Sequence, residues 1–194
     1  MTPASGGRRR VPDIRYGEVP GYRPLELDLY LPGTDEPAPV IVHVHGGGWR
    51  RGSRREPLRA LGEDFYDTLA AQGFAVAAVD YRLSAEARFP APLEDVSGAV
   101  GWVRDNAARY WLDDGRVFLW GDSAGGHLAL LAALTGGKVQ GVVAWFPVTD
   151  LLGMPADIAD AGAVRPGCRR SLRLAPGAAR GASPAATRRR GRAR

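Results

Sequence analysis

A single cysteine, Cys168, in 194 residues excludes an internal disulfide framework and fits a reducing compartment, so a cytoplasmic location is expected. No apolar run approaches the roughly 20 residues of a membrane span. The N-terminus MTPASGGRRRVPD carries positive charge without the apolar segment of a secretory signal. Histidine is scarce, with His43, His45 and His127 only, and lysine scarcer still: Lys138 stands alone against 25 arginines. Acidic residues vanish after residue 160. Residues 161–194 hold ten arginines and no Asp or Glu, so the formal net charge of +5 hides a mildly acidic body of net −5 over residues 1–160. Any argument for a polyanionic partner rests on that tail alone.

What is present is a core-forming chain, 45% hydrophobic, enough for one domain. Leu25, Leu27, Leu29 and Leu31 alternate with polar residues, the period of a half-buried strand. VIVHVH (Val40–His45) and FAVAAVDY (Phe74–Tyr81) read as buried strands, as do RVFLW (Arg116–Trp120) and the core of VQGVVAWFPV (Val139–Val148). Between them, helical spacing predicts helices over Glu56–Gln72, stopped by Gly73, over Leu93–Trp111, and over Ser123 to about Leu134. No internal repeat is visible. Strands alternating with helices predict an α/β fold, a mostly parallel sheet with helices on both faces. The expected organisation is a flexible N-terminus at 1–13, the α/β domain at 14–160, and an Arg/Ala/Gly/Pro-rich disordered tail at 161–194, where 27 of 34 residues are of those four types.

Two stretches carry chemistry. GDSAGG (Gly121–Gly126) fits G-x-S-x-G between a predicted strand and a predicted helix. That context turns a common tripeptide spacing into a nucleophile elbow, in which a tight turn lifts the Ser123 hydroxyl above the sheet. Gly121 and Gly125 let the turn close, Asp122 fills the variable position, and the helix N-terminus favours developing negative charge. HGGGW (His45–Trp49) ends a strand in three glycines, whose N–H groups can approach an oxyanion without interference from Cβ atoms. The N–H groups of Gly47, Gly48 and Ala124 are the candidate oxyanion hole, with His45 and Gly46 as supports. A phosphate-cradling loop is the weaker reading, because neither G-K-[ST] nor G-x-G-x-x-G follows.

HVHGGGW, VDYRLSAEARFPAPLEDVSGAVGWV and GDSAGGHLA together resemble the α/β-hydrolase fold, in its esterase/lipase branch of hormone-sensitive-lipase-like and feruloyl-esterase-like enzymes, from about Tyr16 to Asp160. The resemblance implies a serine hydrolase that needs no cofactor or metal and acts on small-molecule carboxylic esters. It implies Ser123 as nucleophile, the glycines after His45 as the oxyanion turn, and Asp80 and Tyr81 as structural supports.

The acid and base of that machinery are not found at their expected places. In this fold the triad runs Ser, Asp or Glu, then His along the chain, and no histidine follows His127. His45 belongs to the turn, and His43 lies deeper on the same strand. His127 sits one helical turn below Ser123, a position for a hydrogen-bonded core residue. Among later carboxylates, Asp150 falls a strand too early for the acid and reads as a brace, while Asp157 and Asp160 read as solvated. The expectation is a carboxylesterase-like domain, incomplete at its C-terminus and impaired in turnover. Its alternative is a non-catalytic hydrolase-like binding protein whose basic tail contacts nucleic acid or anionic surfaces by counterion release. Of three accounts of the tail, an arm for anionic surfaces, an inert disordered extension and a reading-frame slip in GC-rich DNA, the last is favoured, since Ala, Gly, Pro and Arg are the residues such a slip over-produces. Oligomeric state has no signal in the sequence.

Overall fold

The computed structural model describes residues 7–57, 61–136 and 138–151. The tail from residue 161, with Asp157, Asp160 and Cys168, lies outside them. Six strands form one sheet in the order β1-β2-β4-β3-β5-β6. They are β1 (Arg9–Gly17), β2 (Leu25–Leu31), β3 (Ala38–Val44), β4 (Ala75–Val79), β5 (Leu112–Asp122) and β6 (Gly141–Trp145). The pairs β3–β4, β3–β5 and β5–β6 are parallel, while β1–β2 and β2–β4 are antiparallel.

Strand alternation assigns the two faces. On β4, Ala75, Ala77 and Val79 join the larger core with Val40, Val42, Val44 and Leu119. Helices α2 (Ala91–Asp105) and α4 (Ala124–Leu134) cover that side. Val76 and Ala78 point the other way and pack with Tyr30, Phe65, Tyr66 and Ala70 under α1 (Phe65–Ala71). Helix α4, AGGHLALLAAL, is small and apolar on nearly every face and is buried accordingly. No helix among the described residues is long and apolar enough to cross a membrane.

Strand β5 starts at Leu112, four residues before the expected Arg116, and three further boundaries differ from expectation. Residues 9–13, expected within a flexible N-terminus, form the first half of β1. Their signal is weak because this edge strand buries no residue fully, and only Val11, Ile14 and Tyr16 lean on the core. A register shift between Val11 and Ile14, with Asp13 at φ 57, breaks what period there is. The helix expected from Glu56 starts only at Phe65 in the described residues, after Gly62 takes φ +80. It stops as predicted: Phe74 N–H reaches back to the Leu69 carbonyl across Gly73. The helix expected over Leu93–Trp111 starts two residues earlier and breaks at Asn106, leaving a separate turn, α3 (Ala107–Tyr110), that ends on Trp111 at φ 59.

Candidate active site

One row of the parallel sheet positions the whole site. Val79 on β4, Val44 on β3, Gly121 on β5 and Ala144 on β6 lie side by side in register. Asp80–Tyr81, His45–Gly48 and Asp122–Ser123 therefore all leave the sheet at the same end, the carboxyl ends of the strands, where α/β folds keep their binding crevices.

Ser123 bridges β5 and α4 with φ 50 and ψ −113, a backbone conformation that costs of order 1–3 kcal/mol for a residue with a side chain. Neighbours hold it there: Ser123 N–H donates to the Trp145 carbonyl (2.9 Å), and its own carbonyl accepts from His127 N–H (3.0 Å). The elbow closes only because its flanks lack side chains. A Cβ on Gly121 would overlap the Gly125 backbone, and one on Gly125 would overlap the Val44 carbonyl. Ser123 is half-buried and Ala124 fully buried at the start of α4.

The glycine turn lies against this elbow. Gly46 N–H donates to the Asp122 carboxylate, whose pKa burial raises despite that bond. The contact is close enough that a Cβ on Gly46 would overlap Asp122 Oδ2. Gly47 takes φ +116 with its Cβ direction blocked by the Arg51 carbonyl. Gly46, Gly47 and Gly48 are half-buried, so their backbone borders open space while His45 and Trp49 beside them are buried. An open cleft of about 840 Å³ borders Gly46, Gly47 and Asp122, walled further by Arg51, Arg55 and Glu56. It lies on the turn's side of the site rather than over Ser123.

All three histidine rings are buried against aromatic rings. His45 stacks on Tyr81 (4.4 Å between centroids, 15° between planes), and its Nδ1 donates to the Gly46 carbonyl at 2.7 Å. Tyr81 is fully buried and returns its hydroxyl proton to the His45 carbonyl at 3.0 Å, while burial lowers the His45 pKa. His43 meets Phe65 and Tyr66 edge-on and shares a 3.1 Å hydrogen bond with the Tyr66 hydroxyl. Burial, helped by His45, takes its pKa down to about 3. His127 is 2% exposed and stands edge-on to Trp49. Asp150, just beyond β6, is exposed. Among the described residues no cluster of three or more His, Cys, Asp or Glu side chains could hold a metal ion.

The largest feature that sequence patterns did not single out is a buried charge cluster around Arg54. Asp13, Glu26, Asp28 and Asp80 all bind its guanidinium, and Asp80 also accepts the Arg54 backbone N–H at 2.7 Å. Burial pushes the Asp28 carboxyl up, but the Asp13 N–H and the Arg10 and Arg54 guanidiniums outweigh it and bring it down to about 2. In the sequence, Arg54 sits in the run WRRGSRRE, where charge density reads as solvated surface.

Comparison with known proteins follows the same geometry. The profile of the BD-FAE family matches residues 27–167. Esterase LipC of Mycobacterium tuberculosis is 39% identical over 133 residues, covering 69% of this chain and 31% of LipC. Carboxylesterase NlhH of the same organism is 33% identical over 155 residues, covering 72% of this chain and 46% of NlhH. A solved structure, the hyperthermophilic esterase of the archaeon Pyrobaculum calidifontis, superposes with a TM-score of 0.62 at 31% identity, over 76% of this chain and 46% of that one. The chain thus spans about a third to a half of the length of the curated relatives it matches. With a mostly parallel sheet, helices on both faces and the serine between β5 and α4, the chain belongs to the BD-FAE family, among the esterases of the α/β-hydrolase fold.

Proposed function

We propose that Ser123 is the nucleophile of a carboxylic ester hydrolase reaction, with the N–H groups of Gly47, Gly48 and Ala124 as its oxyanion hole. The observation that carries this reading is the conformation of Ser123, φ 50 and ψ −113, at the junction of β5 and α4 beside the glycine turn. A serine kept in a costly backbone conformation, with the glycine turn packed against its elbow and α4 starting from it, fits attack on a carbonyl carbon. The Ser123 oxygen adds to the ester, charge develops on the carbonyl oxygen under the N–H donors, and the alcohol departs with a proton to leave an acyl-enzyme. Water then releases the acid.

Each proton movement needs an imidazole beside the serine. This chain's three histidines are all buried against Tyr81, Tyr66 or Trp49. The 194-residue chain therefore acylates slowly and turns over little. Donors without a base still leave an acceleration of about 10³–10⁴ over water in triad-deleted serine hydrolases. The test pairs a fluorophosphonate probe with a short-chain p-nitrophenyl ester. The expected result is a slow single adduct on Ser123, absent in Ser123→Ala, and ester hydrolysis near background. Robust hydrolysis abolished by Ser123→Ala would overturn the impairment. A folded chain that never takes the probe would overturn the nucleophile and favour a non-catalytic binding protein.

A further inference from the structure

Arg54 is an expensive residue to place where it is. It is 7% exposed, and it gathers four carboxylates from two strands, β1 and β2, and the segment after β4. Nε donates to Asp28 at 2.9 Å, Nη2 to Glu26 at 3.1 Å and to Asp13, and Nη1 to Asp80. Arg10 and Arg55 add bonds to Asp28, Arg55 adds one to Asp13, and Arg23 stands 3.7 Å from Asp80, so four arginines balance four acids. A buried ion cluster is weak evidence for stability, because desolvation offsets its attraction. What a guanidinium does provide is direction: a rigid fork whose donors fix several partners at once.

The direction leads to the oxyanion turn. Arg54 closes the loop that begins at Gly46, and its side chain and backbone N–H both grip Asp80. The next residue, Tyr81, stacks on the His45 ring and hydrogen-bonds the His45 carbonyl. From the loop side, Gly52 lies so near His45 that a Cβ there would come within 2.5 Å of Nδ1. His45 is thus held by two segments that Arg54 joins, and Gly46–Gly48 follow it directly. No other arginine among the described residues bridges these segments from within the core.

We propose that Arg54 is a positioning residue, which acts through Asp80, Tyr81 and His45 to fix the glycine turn over Ser123. The proposal rests on the reading of that turn as the oxyanion hole. Its first readout is independent of catalysis.

Hydrogen–deuterium exchange of the full chain, wild type against Arg54→Met and Arg54→Lys, follows peptides covering the turn and, as internal reference, α2. Local loosening predicts exchange at Gly46–Trp49 at least about tenfold faster in Arg54→Met, with α2 within about twofold of wild type. Arg54→Lys should fall between, since an ammonium restores charge but not the fork. Unchanged exchange at the turn in Arg54→Lys and Arg54→Met, or an equal rise everywhere, would overturn the proposal, the latter by showing a purely structural role. If Arg54→Met fails to fold, Arg54→Lys and Asp80→Asn decide by the same comparison. The second readout is the fluorophosphonate reaction at Ser123, whose maximal rate should fall about tenfold in Arg54→Lys at unchanged probe affinity, as expected of displaced donors. A wild-type chain inert to the probe would refute the hydrolase reading while the exchange data still judge Arg54.

Discussion

His43 and His45 stand two residues apart on and just beyond β3, and burial lowers the pKa of both. For His43 the folded value is about 3, against an ordinary value of 6.5. Between those two pH values the unfolded chain binds a proton that the native chain refuses. The stability that follows from the neutral ring is therefore complete above pH 6.5 and declines as the solution is acidified, by up to about 1.4 kcal/mol per pH unit for one group. Asp28 works at a lower range: its carboxyl, held near 2 against an ordinary 3.8, contributes stability above pH 3.8 that is lost as pH falls toward 2. The two ranges overlap only between about pH 3 and pH 3.8, so a comparison at pH 5 and above reads the histidine alone of the two. Urea unfolding of wild type and His43→Gln at about pH 7.5 and about pH 5 should show the acid-induced loss reduced by up to about 2 kcal/mol in the variant. An equal loss in both proteins would mean that His43 is not the residue being titrated.

At the scale of elements, the elbow and the glycine turn are two strand ends pressed together, and glycine sets how closely they come. Gly125 lies in the first turn of α4, where a Cβ would overlap the Val44 carbonyl of β3. Gly125→Ala must push α4 away from the sheet and should cost roughly 1–3 kcal/mol. Gly98 is the control: it lies exposed on α2, and a Cβ there meets nothing within 4 Å. Gly98→Ala should be neutral or stabilise by up to about 1 kcal/mol. Thermal unfolding of the two variants checks both signs, and a harmless Gly125→Ala would refute the close-packing account. The same contrast explains what could be read in advance. Ser123, its flanking glycines and the HGGG turn were legible because their chemistry is local, spelled within six residues that follow a strand. Strands β2 to β5 were legible because each buries at least one face, and β6 because its apolar run GVVAW is unbroken. The Arg54 cluster was not, since its acids lie between 26 and 41 residues away in the chain. Edge strand β1 hid because Arg9, Pro12, Asp13 and Arg15 look like a solvated leader until β2 pairs with them.

For the whole molecule, the two ends of the sheet differ in how they meet solvent. Strand β1 is defended: arginines, a proline and a register shift at Asp13 discourage further pairing. Strand β6, GVVAW, has β5 as its one neighbour among the described residues and is nowhere fully buried. Its Val143 is 43% exposed and the following Phe146 65%. An apolar parallel edge with no second partner among the described residues is a template for intermolecular strand addition. The 194-residue chain is accordingly expected to self-associate at micromolar concentration. Val143→Lys places a charge on the most exposed position of β6, where it opposes pairing and removes little packing, so stability should change by no more than about 0.5 kcal/mol. The expected result by gel filtration and light scattering is a larger monomeric fraction for Val143→Lys than for wild type at equal concentration. A wild-type chain that is monodisperse and unfolds cooperatively would show instead that the β6 edge is already protected, and Val143→Lys would then bring no gain.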